Sequence, residues 1–275
     1  MSKIAYDPVK DKFAGIIRRS RLLRKLFYIA LDLFFLRSWH VRGVVKNLGI
    51  TVFDDEDPAI LDAGNGFGQY DRFLLKTFPS SKIKAVDVKQ DYLDDCRFYF
   101  KDAISKGKIS FEEADLLKFD EPENYELVLC VDVLEHIEED VLVMKNILKS
   151  MKPGGYFVMH SPSIYAEDDA GDDEFFVDEH ARPGYEKSDL AKRLLDAGLE
   201  PVEIRYTYGL PGHTAWVMLI KYPMLLINRV GFISVFLLPF YYLITFLPGM
   251  LLHYFDLGKD HDAGTGIIAV ARKPN

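Results

Sequence analysis

The sequence predicts an α/β domain built on a mostly parallel sheet with helices on both faces. Three observations carry this. Short apolar runs alternate with helical-period segments from Ala59 to Tyr206. The first run leads into a glycine turn, Gly64-Asn65-Gly66-Phe67-Gly68, and then into a helix. Acids close four of the runs, at Asp62, Asp87, Asp115 and Asp132, and in open α/β sheets the ligand lies beyond the carboxyl ends of the strands.

Taken in order, Ala59–Ala63 is a short buried strand after Pro58, and Tyr70–Phe78 is a helix with Phe73, Leu74 and Phe78 at helical spacing. Lys82–Val86 is the second strand, Tyr92–Ile104 a helix, Ile109–Ala114 the third strand and Leu127–Val131 the fourth. Val141–Met151 is a helix stopped by Pro153-Gly154-Gly155, and Tyr156–His160 is the fifth strand. Ser188–Ala197 is a helix ended by Gly198. Pro201–Tyr206 and Gly266–Arg272 are the last two strands. The domain occupies residues 58–210 plus 263–275, with an N-terminal helical segment, 1–57, and an insertion, 211–262.

Charge is uneven. Net charge is −8, but residues 1–50 hold 11 Lys/Arg against 3 Asp/Glu, a balance of +8, so the remainder carries −16. Phe13, Ile16, Ile17, Leu22, Leu23, Leu26, Phe27, Leu31 and Phe34 form an apolar face beside Arg18, Arg19, Arg21, Arg24 and Lys25. A basic amphipathic helix of this kind fits an anionic membrane surface, or packs on the domain with a solvated basic face. The acidic body argues against nucleic acid as a partner. Two cysteines, Cys96 and Cys130, offer neither a disulfide framework nor metal spacing and suit a reducing compartment. Met1–Phe13 is too polar for a secretory signal.

The insertion has no Asp, Glu, Lys or Arg from Val230 to Phe255, longer than the roughly 20 residues that span a bilayer. A single crossing is unexpected, because strands on either side belong to one sheet and the chain must return to the side it left. Pro239 and Pro248 are also expected to break the run. A helical hairpin that dips into one leaflet or lies in its surface satisfies these constraints, with Trp216, Tyr222, Tyr241, Tyr242 and Tyr254 at headgroup level. A soluble lid or a dimer interface is the alternative.

The glycine spacing is G-x-G-x-G, with Gln69 where a dinucleotide fingerprint wants its third glycine. This resembles the first motif of the class I S-adenosylmethionine-dependent methyltransferases. Supporting it are Val131-Asp132-Val133-Leu134-Glu135-His136-Ile137 after the fourth strand and Lys152-Pro153-Gly154-Gly155 before the fifth. The resemblance covers about residues 58–210 and implies a Rossmann-like seven-stranded sheet whose last strand is antiparallel. It implies S-adenosylmethionine as cofactor. Asp62, Gly64, Asn65, Gly66 and Gly68 would surround its methionine part, and Asp87, with Val88 beside it, its ribose. Asp115 and Leu116 would address the adenine, and the backbone of Val131 and Asp132 would face the methionine end.

An oxygen acceptor also needs a base of near-neutral pKa. The candidates are His160, at the end of the fifth strand, and His180, in Asp178-Glu179-His180-Ala181-Arg182. His136 reads as structural. The acidic loop Glu167–Glu174 lacks Ca²⁺-loop spacing and reads as a solvated rim or lid, so no metal is expected. The expected function is methyl transfer to a lipophilic small molecule at the cytoplasmic side of a membrane, by a peripheral or monotopic enzyme. The alternatives are a soluble methyltransferase of a polar metabolite that dimerises through the insertion, and a non-catalytic cofactor-binding protein.

Overall fold

The computed structural model describes residues 20–51, 53, 58–166 and 181–275. Phe13, Ile16, Ile17, Arg18, Arg19, the acidic loop Glu167–Glu174 and His180 therefore lie outside the described residues.

Among the described residues two helices come first, α1 (Arg21–Phe34) and α2 (Leu36–Thr51). The sheet then builds through β1 (Ile60–Ala63), α3 (Gln69–Thr77), β2 (Ile83–Asp87), α4 (Gln90–Tyr99), α5 (Lys101–Ser105) and β3 (Ile109–Glu113). It continues with β4 (Tyr125–Val131), α6 (Asp140–Ser150), β5 (Met151–Pro162), α7 (Lys187–Ala197) and β6 (Glu200–Thr207). Three further helices, α8 (Leu210–Trp216), α9 (Tyr222–Val230) and α10 (Ser234–Asp256), precede β7 (Gly266–Arg272).

The seven strands lie in the order β3-β2-β1-β4-β5-β7-β6. β1 pairs in parallel with β2 and β4, while β7 runs antiparallel between β5 and β6. Every residue of β1 is buried, as expected of a central parallel strand covered on both faces. Leu61, Val128, Met144 and Phe157 pack on one side of the sheet and Ile60, Leu74, Leu127 and Val158 on the other. This order places the ends of β1, β2 and β4 side by side, so the acids that close them share one rim.

Three expectations are corrected. The helix predicted over Tyr92–Ile104 is two helices that meet at Phe100. The fifth strand begins at Met151, not Tyr156, with Pro153-Gly154-Gly155 inside it, where the pairing with β4 shifts register between Tyr125 and Leu127. Neither Pro239 nor Pro248 interrupts α10, which runs unbroken for 23 residues. Both prolines lie on the exposed side of the helix.

The insertion is a helical hairpin. A π-helical turn, Val217–Lys221, joins α8 to α9, and the chain reverses at Gly231, whose φ is 57°. Tyr241 donates its hydroxyl hydrogen to the Met218 carbonyl at 2.7 Å and Tyr242 to the Leu219 carbonyl at 2.9 Å. Both acceptors lie in the π turn, where the widened backbone bonding leaves carbonyls open to side chains. These two tyrosines pin the two arms of the hairpin together.

Candidate active site

The glycine loop leaves β1 with Gly64 and Gly66 at φ values of 84° and 50°, a region that penalises side chains. The two glycines serve different ends. A Cβ on Gly64 would lie 2.3 Å from Cγ2 of Val133, so the residue lets the loop close on the segment after β4. A Cβ on Gly66 would meet no protein atom within 4 Å, which leaves its backbone open to a ligand. Gly68 caps the N-terminus of α3.

Asp87 ties the loop to the end of β2. Its Oδ2 accepts from the Gly66 N–H at 2.9 Å and its Oδ1 from the Lys89 N–H at 2.9 Å. Val88, between them, is exposed. At the next strand end, Asp115 accepts from the Leu117 N–H at 3.0 Å. Leu116 is buried, and its carbonyl accepts from Asn146 Nδ2 at 3.0 Å. Asn146 thus holds this loop from α6, a role that no local sequence signal marks.

Beneath the loop, Asp62 and Asp71 are both buried. Asn65 donates from Nδ2 to Asp71 at 3.3 Å. Burial, and then the neighbouring Asp71, pushes the Asp62 carboxyl well above its ordinary range, and burial pushes Asp71 up to about 7. Two carboxyls this close and this dry cannot both ionise, so near neutral pH they hold a proton between them. A raised carboxyl pKa in the folded state means stability that is full below the unfolded value and is lost as pH rises through the folded one. Asp71→Asn is therefore expected to raise the melting temperature at pH 8 and leave it nearly unchanged at pH 4. The scale is about 2–4 °C per kcal/mol for a chain of this size, and thermal scans across that range are the check.

The N-terminal helices clamp the loop from outside. Tyr28 donates to the Phe67 carbonyl at 2.6 Å, and Arg24 Nη2 donates to the same oxygen at 3.0 Å. Arg24 also pairs with Asp95 at 3.4 Å. Arg24 was expected among the cations beside the apolar face, but it is only 4 % exposed. The face of α1 that packs inward is that of Arg24 and Tyr28, while Leu22 and Leu26 point outward. Gln69, at the position of a missing third glycine, donates to Ser38 Oγ at 2.6 Å and to Asp32 at 3.0 Å. It joins α3 to the same two helices.

At the end of β4, Asp132 adopts a φ of 53°, uncommon for a residue other than glycine and enriched at functional sites. Arg37, from the start of α2, pairs with its Oδ2. His160 Nδ1 lies 2.9 Å from its Oδ1, and His160 Nε2 lies 3.2 Å from Thr207 Oγ1. Asp132 only accepts, so His160 carries its proton on Nδ1 and takes the Thr207 hydroxyl hydrogen on Nε2. Burial, reinforced by the Arg37 charge, lowers its pKa to about 3, so the ring is neutral at physiological pH. The structure thus sets His160 behind Asp132, with both ring nitrogens engaged. Next along the chain, Glu135 is buried, accepts from Ser161 Oγ at 2.8 Å and is pushed up to about 7 by burial. His136 beside it is partly exposed.

The rim formed by Gly66, Asp87, Asp115, Asp132 and Val131 brings together the loop and strand-end positions expected to hold a cofactor, with Asp62 below them and His160 behind. A methyltransferase-domain family matches residues 60–155, from β1 into β5. The matched segment contains the glycine loop and the strand-end acids, the part of the chain that resembles the class I S-adenosylmethionine-dependent methyltransferases.

Among curated relatives, the chain resembles a ubiquinone biosynthesis O-methyltransferase of Hydrogenovibrio crunogenus, 28% identical over 101 residues, which are 37% of this chain and 41% of the relative. It also resembles malonyl-[acyl-carrier protein] O-methyltransferase 2 of Ilyobacter polytropus, 28% identical over 116 residues, 42% of this chain and 43% of the relative. The chain therefore spans less than half the length of the curated relatives it matches. Among solved structures, a phosphoethanolamine N-methyltransferase 2 of Haemonchus contortus in complex with S-adenosyl-L-methionine superposes with a TM-score of 0.60 at 14% identity, over 96% of this chain and 60% of that one. The magnesium protoporphyrin IX methyltransferase of Synechocystis PCC 6803 gives 0.53 at 13%, over 84% and 81%. At these identities the structures share the fold alone.

The residues present fit S-adenosylmethionine. The backbone at Gly66 is open where a side chain would obstruct a ligand, and the carboxylates of Asp87 and Asp115 stand at successive strand ends beside it.

Proposed function

We propose that this chain transfers a methyl group from S-adenosylmethionine to a lipophilic small molecule at a membrane surface. The observation that carries the reading is the link between the cofactor rim and the apolar hairpin. Arg37, which holds Asp132, donates its backbone N–H to the Tyr208 hydroxyl at 2.9 Å. Tyr208 in turn donates its own N–H to Asp256, the last residue of α10, at 3.2 Å. An acceptor delivered along the hairpin would thus arrive beside Asp132.

The bound cofactor supplies an activated methyl carbon. The chain's own part is to hold its donor and acceptor in line, which is the main contribution of a protein to such a displacement. Asp87 would accept hydrogen bonds from the ribose, Asp115 and Leu116 would address the adenine, and the open backbone at Gly66 would admit the methionine portion. Arg37 and His160 fix Asp132 from two sides. His180 is the proposed base for an oxygen acceptor, since the ring of His160 is already committed. The names of the curated relatives, both O-methyltransferases, favour oxygen. Two buried free cysteines suit a reducing, cytoplasmic face, where the enzyme would sit as a peripheral or monotopic protein.

The test is label transfer. Incubating the protein with methyl-labelled cofactor and a lipid extract is expected to put label into an organic-phase product, identified by mass spectrometry. Asp87→Ala should lower the yield at least tenfold, which corresponds to the ~1.4 kcal/mol of a lost charge-assisted hydrogen bond. Label only in water-soluble products would overturn the lipophilic reading.

A further inference from the structure

The exposed surface of α10 is a single stripe. Phe240, Leu243, Ile244, Leu247, Leu251 and Tyr254 recur at helical spacing and are each at least half exposed, with Leu243 at 82 %. Over Phe236–Asp256 only 11 % of the most apolar window is buried. Soluble monomers rarely leave so large a contiguous apolar surface open. The stripe holds no charged residue, whereas protein interfaces carry a polar rim. Cations stand close by in the other arm of the hairpin. Arg229 is exposed near the turn, and Lys221 lies over the Trp216 ring at 5.9 Å. An uncharged apolar stripe with basic residues at its margin complements an anionic bilayer.

The opposite side of α10 fixes its orientation. Phe34, at the end of α1, packs on Tyr242 and Phe246 with ring centroids 5.2 and 5.8 Å apart. Trp39 of α2 packs on His253 at 5.6 Å, and His40 lies 2.9 Å from Asp256. From Tyr242 onward, then, α10 lies alongside helices that also clamp the glycine loop. It cannot plunge into a bilayer end-on without carrying those helices with it. End-on insertion would also draw Arg229, beside the turn, through the hydrocarbon, at a cost of several kcal/mol.

We infer that α10 lies flat in the membrane–water interface, its apolar stripe among the acyl chains and the catalytic domain riding above it. This rests on the membrane part of the function proposed above. The bilayer is met by the length of one helix, and the hairpin tip is no deeper than its base.

Phe240, Leu247 and Tyr254 sit seven residues apart along one face, so the first and last are about 21 Å apart on the helix axis. Cys96 and Cys130 are buried, so Phe240→Cys, Leu247→Cys and Tyr254→Cys can each be spin-labelled in the full chain. Depth is then read from oxygen and nickel-chelate accessibility on vesicles of phosphatidylcholine with one-third phosphatidylglycerol. Similar depths at all three positions are expected. A depth that increases from Tyr254 to Phe240 by more than half the helix length would overturn the flat orientation while leaving membrane docking intact. Three water-exposed labels, or burial of all three in a lipid-free dimer seen by light scattering, would overturn docking itself. Cofactor binding measured by calorimetry on the same samples keeps the methyltransferase reading separate from either outcome. Arg229→Glu is expected to weaken vesicle partitioning more than fivefold, since each surface cation contributes about that factor, and to lose this effect on pure phosphatidylcholine. An equal effect on both vesicle types would count against the charge-assisted docking.

Discussion

Gly66→Arg is expected to abolish measurable cofactor binding while leaving the protein folded. The fold survives because a Cβ at this position meets no protein atom within 4 Å. The remaining cost is the left-handed backbone at a φ of 50°, roughly 1–2 kcal/mol for a residue with a side chain. Binding fails because the same open space is where the ligand must approach, and the new guanidinium adds positive charge facing a cationic sulfonium. A loss of at least 100-fold in affinity, about 2.7 kcal/mol, is the expected scale. Calorimetry reads this directly, and thermal shift reads it a second way. Saturating cofactor at 100 times its dissociation constant stabilises a binding-competent protein by ~2.7 kcal/mol, and that increment should vanish in the variant. A variant that melts normally and still binds would place the cofactor elsewhere.

The largest expected loss of stability is at Asp256. This carboxylate is fully buried. It accepts from the backbone N–H groups of Tyr208 at 3.2 Å and Gly212 at 3.1 Å and from His40 Nε2 at 2.9 Å, with His261 Nε2 at 3.2 Å. Burial pushes its pKa up, but the His40 hydrogen bond and the surrounding donors outweigh that and leave it below the usual carboxylate range. Burial lowers the His40 pKa, so at neutral pH the pair is an anion held by a neutral donor. Asp256→Ala strands several buried donors at once, and a loss of about 3–5 kcal/mol follows from breaking such a cluster. A depressed carboxyl pKa contributes stability above the unfolded value near 4, lost as pH falls through the folded one. The gap between wild type and Asp256→Ala in urea unfolding is therefore expected to be full at pH 7 and to narrow below pH 4. Asp256→Asn keeps one acceptor and should recover part of the loss.

How much of this was legible in the sequence depended on the range of the contacts involved. The strands, apart from the start of β5, were readable because apolar period and turn chemistry are local, and β7 falls on Gly266–Arg272 as expected. The rim was readable for the same reason, since a glycine loop and the acids at strand ends announce themselves within a few residues. The clamp was not. Arg24 looks like any cation on an amphipathic helix, and only the fold turns it toward the Phe67 carbonyl. Arg37 meets Asp132 through the placement of α2. His40 and Asp256 are 216 residues apart. Pro239 and Pro248 misled in the other direction, since the helix continues through both although they lie on its exposed side. His160 shows the remaining difficulty. Its position at a strand end was correct, yet its partners Asp132 and Thr207 and its burial set its proton inventory, and these appear only in three dimensions.

The place where the hairpin leaves the sheet has one more consequence. Thr207 and Gly266 are cross-strand partners at the ends of β6 and β7, so the chain departs and rejoins at adjacent points, about 5 Å apart. Everything between them is a cassette on a closed socket. A replacement that left the register of every strand unchanged would have to shelter Phe34 and Leu36 and supply the acceptors that Asp256 and Tyr208 give to His40 and to the Arg37 N–H. A chain built on such a socket could change the surface it presents by altering one stretch, while the glycine loop and the strand ends stay where they are.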